Sequence, residues 1–237
     1  MTPDIPIYNK CILNEPGAEA YNEAPAAGFS TSPEWIDYLD SVCGCVQTHS
    51  LNVAEVIRDG ERHDDTDALI CFQPGIRIGV RTADCVPIVF YAPDINGIGV
   101  AHAGWRGTLG GIAGNVIDCL TERGADPACI KVSFGASISA ENYEVSQALA
   151  DKFAEAGLKE CVSYPGGVDR RPHLDLQHAN IIQILLKGIK QSNIKISTDC
   201  TFSSTLDNSP IYRSYRRDPE NAGRNVTWIK LNKQPLK

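Results

Sequence analysis

Three short apolar runs lying close together in the chain, at 76–80, 86–91 and 98–101, constrain its fold more than any other feature. Each is too short for an ordinary helix and is bounded by turn-forming or polar residues, so all three read as short buried strands. Chemistry collects at their ends. Arg81-Thr82-Ala83-Asp84-Cys85-Val86-Pro87 sets a thiol at the start of the second run. Ala101-His102-Ala103-Gly104-Trp105-Arg106-Gly107-Thr108 sets an imidazole at the end of the third. Gly104 and Gly107 bracket Trp105 and Arg106, a permissive loop where backbone can approach a ligand. Arg106 is expected over the mouth of the resulting pocket.

A third ligand decides what such a site does. His49, in Gln47-Thr48-His49-Ser50, also sits beside an apolar stretch, Leu51, Val53 and Val56. His49, Cys85 and His102 together offer one thiolate and two imidazoles, a set that suits zinc and leaves the fourth position to water or substrate. That arrangement is catalytic in type. The intervals, 36 residues (85 − 49) and 17 residues (102 − 85), match no short metal-binding motif. Three other readings stand beside it. A buried cysteine is commonly a small hydrophobe and a strand-end histidine commonly bonds backbone. Cys85 as nucleophile with His102 as base would make a metal-independent cysteine hydrolase or deamidase. A purely structural zinc site in a binding module would normally use four protein ligands.

The two blocks resemble the signature pair of the laccase-domain, polyphenol-oxidase-annotated family that is associated with purine nucleoside phosphorylase activity. The resemblance continues in Gln47-Thr48-His49, Thr66-Asp67-Ala68-Leu69, Tyr143-Glu144-Val145, Leu174-Asp175-Leu176 with Ala179-Asn180, and Ser214-Tyr215-Arg216-Arg217-Asp218 with Gly223-Arg224. It implies zinc ligands at His49, Cys85 and His102. It also implies a layered α-β-β-α sandwich with a mixed sheet, and phosphorolysis of adenosine, inosine or methylthioadenosine, extending to deamination of adenosine. A role in editing cell-wall precursors is associated with some members. Two segments depart from the family pattern. Gly28-Phe29-Ser30-Thr31-Ser32-Pro33 lacks the arginine of the family's Gly-x-Ser-Thr-Arg, and the stretch 135–145 lacks two prolines, a glycine and both cysteines of its counterpart. Copper-based phenol oxidation, the older label, would need many more histidines than the five present.

A length of 237 residues with 43% hydrophobic content and no linker, repeat or low-complexity tract reads as one α/β domain over 1–237. The segment Met1-Thr2-Pro3-Asp4-Ile5-Pro6 lacks the marks of a signal peptide, and no run approaches about 18 apolar residues, so a soluble cytoplasmic enzyme without membrane contact is expected. Nine cysteines without framework spacing suit reduced thiols. Cys43-Gly44-Cys45 lacks the two-residue spacer of a redox motif. Net charge is −7, which disfavours nucleic acid as a partner and makes the group Arg213, Arg216, Arg217 and Arg224 an exception. That group reads as a solvated face or as a small-anion site, because guanidinium forks match phosphate oxygens. Arg216, with Arg106, is the candidate phosphate contact beside the purine nucleoside. In a strand at 211–215 Tyr212, Ser214 and Arg216 would share one face, and Arg213, Tyr215 and Arg217 the other.

Helical spacing is expected at 108–123, with Thr108 as N-cap and Gly124 as stop, and at 139–156 and 176–192. Strands are expected at 68–72, 76–81, 86–91, 98–102, 130–134, 194–197, 211–215 and 225–231. Gly107-Thr108-Leu109-Gly110-Gly111 lacks the lysine of a phosphate loop and dinucleotide spacing.

Overall fold

The structure, a computed structural model, describes residues 7–25, 32–42, 44–167 and 169–233. In chain order the first half holds β1 (Ile7–Glu15), β2 (Ala18–Pro25), α1 (Pro33–Val42), β3 (Val53–Val56), β4 (Ala68–Cys71), β5 (Arg77–Thr82), β6 (Val86–Ala92) and β7 (Gly97–Ala103). Then come α2 (Trp105–Gly110), α3 (Ile112–Glu122), β8 (Lys131–Phe134), α4 (Gln147–Glu155), β9 (Val162–Ser163), β10 (His173–Leu174) and α5 (Leu176–Leu186). The chain closes with β11 (Ile194–Lys195), β12 (Thr205–Leu206), β13 (Ser209–Pro210) and β14 (Asn225–Leu231).

Two larger sheets carry the architecture, one ordered β11-β8-β6-β7-β4-β3 and the other β1-β2-β14-β5. The first is mixed: β3 runs parallel to β4 and β11 to β8, while its other neighbours are antiparallel. Side chains alternate across each strand, so one strand feeds two cores. From β7, Ile98 and Val100 meet Ile78, Val80, Ile229 and Leu231 of the second sheet, while Ala101 and Ala103 meet Ile112, Val116 and Leu120 of α3. α1 covers the far side of the second sheet, where Trp35, Tyr38, Leu39 and Val42 pack on Val226 and Trp228. The layers therefore run helix, sheet, sheet, helix, as expected. β6 and β7 are buried along their whole length, which is why both read as unbroken apolar runs.

The same alternation aims the site. His102 continues the phase of Ile98 and Val100, and Cys85 that of Val89 and Tyr91, so both emerge on the side facing the second sheet. Close packing holds this in place at Gly99, where an added Cβ would lie 2.6 Å from Val116 Cγ1. Gly99→Ala should therefore overpack the β7–α3 contact and lower stability by about 1–3 kcal/mol, readable as a shift in urea midpoint at unchanged slope.

Several local expectations differ from what forms. Residues 108–123 make two helices, because Gly111 takes φ 81°, ψ 33° and ends α2. Thr108 is thus a buried interior residue of α2, where its hydroxyl accepts from Asn180 Nδ2 at 2.9 Å. The helix expected at 139–156 begins at Gln147, capped by Ser146, since Glu144 first bridges to His173. α5 starts as expected, capped by Asp175, and stops before Gly188 at φ 93°. No strand forms at 211–215; the segment is held by Asn225, which bonds both Arg213 N and Arg213 O. The hairpin of β1 and β2 had no counterpart in the sequence reading. Among the described residues no helix is long and apolar enough to cross a membrane.

Candidate functional site

His49, Cys85 and His102 converge, with one ligand atom from each lying within 4.8 Å of the others. Three elements supply them: the exposed loop before β3, the turn between β5 and β6, and the last residues of β7. The His49 and His102 rings meet edge-on at 4.9 Å between centroids. Backbone comes very near, as Gly104 shows: a Cβ there would stand 3.0 Å from Cys85 Sγ and 3.0 Å from His49 Cδ2. Its φ of −73° suits any residue, so space alone requires glycine. Gly104→Ala should leave the fold intact while pushing two ligands apart and lowering metal affinity on the order of 10–100-fold, measured by competition with a chromogenic chelator.

One fully buried carboxylate organises this group. Asp67 Oδ1 lies 2.7 Å from His102 Nδ1, and Oδ2 accepts from Thr48 N at 3.0 Å, Ser50 N at 2.7 Å and Ser50 Oγ at 3.0 Å. The loop on both sides of His49 is thereby pinned, with His49 itself at φ 63°. His102 presents its other ring nitrogen to Cys85, as a metal ligand with an oriented ring must. Burial alone would raise the Asp67 pKa, but these bonds and His102 bring it down to about 2. Burial likewise opposes a Cys85 thiolate, yet His102 and His49 hold its pKa well below the usual thiol range. His102 is pushed up: Cys85 and Asp67 outweigh the cost of burying its charge. A thiolate is the form that binds metal or attacks carbon.

The cluster forms part of the wall of a cleft of about 600 Å³. Trp105, Tyr143, Tyr215 and Arg216 line it, as do Gln47, Arg62, Arg81 and Arg224. Arg216 is anchored twice, its N–H donating to Asp84 Oδ2 at 2.6 Å and its Nη1 to the Glu144 carbonyl at 2.8 Å, and its guanidinium lies 5.2 Å from the Tyr143 ring centroid. Tyr215 and Arg216 both reach the cleft, which the alternation of a regular strand would have forbidden. Arg106 is not among the lining residues; it is exposed and stacks on Trp105 at 4.3 Å. Arg213 and Arg217 are tied to backbone carbonyls, Arg213 to Pro25 and Arg217 to Thr201, Phe202 and Tyr212.

Asp84, at φ 90°, turns its carboxylate to Thr201 Oγ1 at 2.7 Å and to the Arg216 amide, and its carbonyl accepts from Ile138 N. It ties the loops bearing Arg216 to the turn bearing Cys85, a strained conformation of the kind held in place at functional sites. Burial and the nearby Cys85 push the Tyr143 phenol up to about 12, so it keeps its proton at neutral pH. Asp67 and the aromatic lining were not singled out as site residues by sequence; Asp67 lay within the quoted Thr66-Asp67-Ala68-Leu69 block, and its spacing to Thr48 and His102 carries no signal. Residues 28–31 of the departing N-terminal segment and Cys43 of the Cys-Gly-Cys pair lie outside the described residues.

A family model described as multi-copper polyphenol oxidoreductase laccase matches residues 33–232. A purine nucleoside phosphorylase of Deinococcus radiodurans is 36% identical over 178 residues, which cover 75% of this chain and 65% of that protein. The chain thus spans just under two thirds of that relative. Purine nucleoside phosphorylase YlmD of Geobacillus stearothermophilus is 32% identical, with 83% of this chain and 74% of that protein covered. Adenosine deaminase RL5, from an unknown prokaryotic organism, is 33% identical, with 81% and 75% covered. Among solved structures, hypothetical protein YfiH of Bacillus licheniformis superposes with a TM-score of 0.74 at 25% identity, covering 95% of this chain and 100% of that one. With motif blocks, layered sandwich and clustered ligands agreeing with the match across most of its length, the chain belongs to the multi-copper polyphenol oxidoreductase laccase family.

Proposed function

We propose that the chain is a zinc-dependent purine nucleoside enzyme that cleaves nucleosides such as adenosine, inosine or methylthioadenosine with phosphate, and that the same centre supports deamination of adenosine. The carrying observation is the convergence of His49, Cys85 and His102 on a cleft lined by aromatic rings and arginines. The three residues fit such an ion in position, since one ligand atom of each lies within 4.8 Å of the others. The donor set also fits: one softened thiolate and two imidazoles, one already oriented by a carboxylate. Zinc held there supplies Lewis-acid activation of water or of a substrate atom.

The chain's own residues do the rest. Trp105, Tyr143 and Tyr215 offer flat apolar faces for a purine, with Tyr143 also keeping a phenolic proton for donation. Arg216, fixed by Asp84 and Glu144, is placed to hold phosphate. Arg106 acts indirectly, bracing Trp105 from outside the cleft. Multi-copper oxidation is disfavoured by ligand count: among the described residues one cluster of three metal-binding side chains occurs, and His173 bonds the Ala140 carbonyl instead.

Protein purified without chelator should hold about one zinc per chain and cleave inosine only with added phosphate, yielding ribose 1-phosphate. Metal analysis with product analysis checks both. Absence of zinc with full activity after chelator dialysis overturns the metal reading, and equal release of base without phosphate removes phosphorolysis. The low Cys85 pKa beside His102 keeps the cysteine hydrolase as the second reading.

A further inference from the structure

Four arginines, Arg62, Arg81, Arg216 and Arg224, line the cleft, although the chain as a whole carries −7. Of the metal-ligand cluster, Cys85 precedes β6 and His102 lies near the end of β7, both in the six-stranded sheet, while His49 comes from the loop before β3. Arg81 belongs to β5 of the four-stranded sheet, Arg224 immediately precedes β14, and both line the same cleft. The register pairs Arg81 with Val226, and Arg224 lies two residues before Val226, at the same end of the β5–β14 pair. Both side chains line one cleft, so two long guanidinium groups can reach one small anion there. Arg62 joins them through Asp40 of α1, whose Oδ1 lies 3.5 Å from Arg62 Nη1 and also pairs with Arg81 Nη2. Two guanidinium groups thus share one carboxylate. Arg224 Nη1 donates to the neutral carbonyl of Gly223, and the backbone of Arg81 is held by Gln47 through bonds of 2.8 Å in each direction. The guanidinium groups on this rim are forks that match phosphate oxygens.

We propose that Arg62, Arg81 and Arg224 form a phosphoryl-binding subsite, distinct from Arg216, in the cleft that also holds the metal-ligand cluster. This deepens the purine nucleoside reading and rests on it. Two sources share the chemistry: the 5′-phosphate of a nucleoside monophosphate, and free orthophosphate.

The test is calorimetric titration of the full chain and of an Arg62→Gln/Arg224→Gln variant with inorganic phosphate, inosine and inosine 5′-monophosphate. The variant should bind the phosphoryl ligand about tenfold or more weakly and inosine within about twofold of wild type. The wild-type affinity for that ligand should also fall with added salt. Tighter binding of the monophosphate than of inosine, lost in the variant, identifies the nucleotide as the source. Loss confined to inorganic phosphate identifies orthophosphate. If phosphate and monophosphate bind the variant as tightly as wild type, or respond only to Arg216→Gln, the subsite is overturned. Should the double variant fail to fold, Arg224→Lys keeps the charge but removes the fork; it should still weaken the phosphoryl ligand, and an unchanged affinity overturns the subsite. Arginine-dependent phosphate binding in a protein that neither binds nor cleaves inosine would sink the purine reading and leave the subsite standing.

Discussion

Replacing Asp67 by alanine is expected to lower unfolding stability by about 3–5 kcal/mol and metal affinity on the order of 10–100-fold. The carboxylate is wholly buried and serves four partners, so its removal strands the Thr48 and Ser50 amides and frees the His102 ring together. Chemical denaturation and metal competition measure the two effects. The stability difference should also depend on pH, with a sign that follows from the depressed pKa. Asp67 titrates at about 2 in the folded chain against an ordinary 3.8, so its contribution is fully present above the ordinary value and is lost as pH falls toward about 2. The stability gap between wild type and Asp67→Ala should thus narrow, without closing, on acidification below about pH 4. A constant gap across that range would mean that the lost packing, not the charge, carried the effect.

Substitutions at Cys85 should separate ligand from nucleophile. Cys85→Ala should abolish turnover under either chemistry. Cys85→Asp and Cys85→His should retain some zinc and some activity if the thiolate is a ligand, because carboxylate and imidazole also bind zinc. A covalent mechanism tolerates neither. His49→Ala completes the comparison: zinc content and activity should fall together by about 10-fold or more, since the open site loses one of three protein ligands. Wild-type turnover by His49→Ala, with a covalent adduct trapped on Cys85, would replace the zinc enzyme by the cysteine hydrolase.

What the sequence disclosed depended on how local the cause was. The strands around Cys85 and His102 were legible because burial on both faces makes β6 and β7 continuously apolar. Their phase toward the second sheet follows from two-residue alternation once that sheet is known. Helix boundaries failed where tertiary structure overrode local pattern. Gly111 splits what reads as one amphipathic helix, and the bridge from Glu144 to His173 delays α4. The segment 211–215 has a strand-like composition but is pinned out of a strand by Asn225, twelve residues from Arg213. Long-range pairing also hid the cationic rim, because Arg81 and Arg224 become neighbours only when β14 inserts between β2 and β5. Arg106 drew attention by adjacency to His102 in the chain, yet a helical turn carries it outward onto Trp105.

The way Asp84 fastens the Arg216 loop to the Cys85 turn leaves recognition and reactivity on separate parts of the chain. Cys85 and His102 sit at strand ends whose positions are dictated by the central core, whereas Tyr143, Tyr215 and Arg224 ride on later connections. Those connections can change length and composition while β6 and β7 keep their packing, since surface loops tolerate such change far better than buried strands do. One reactive centre can therefore be handed different substrates by exchanging loops. For engineering, new specificity in this chain is best sought at 143, 215 and 224, with 67, 84 and 104 left untouched.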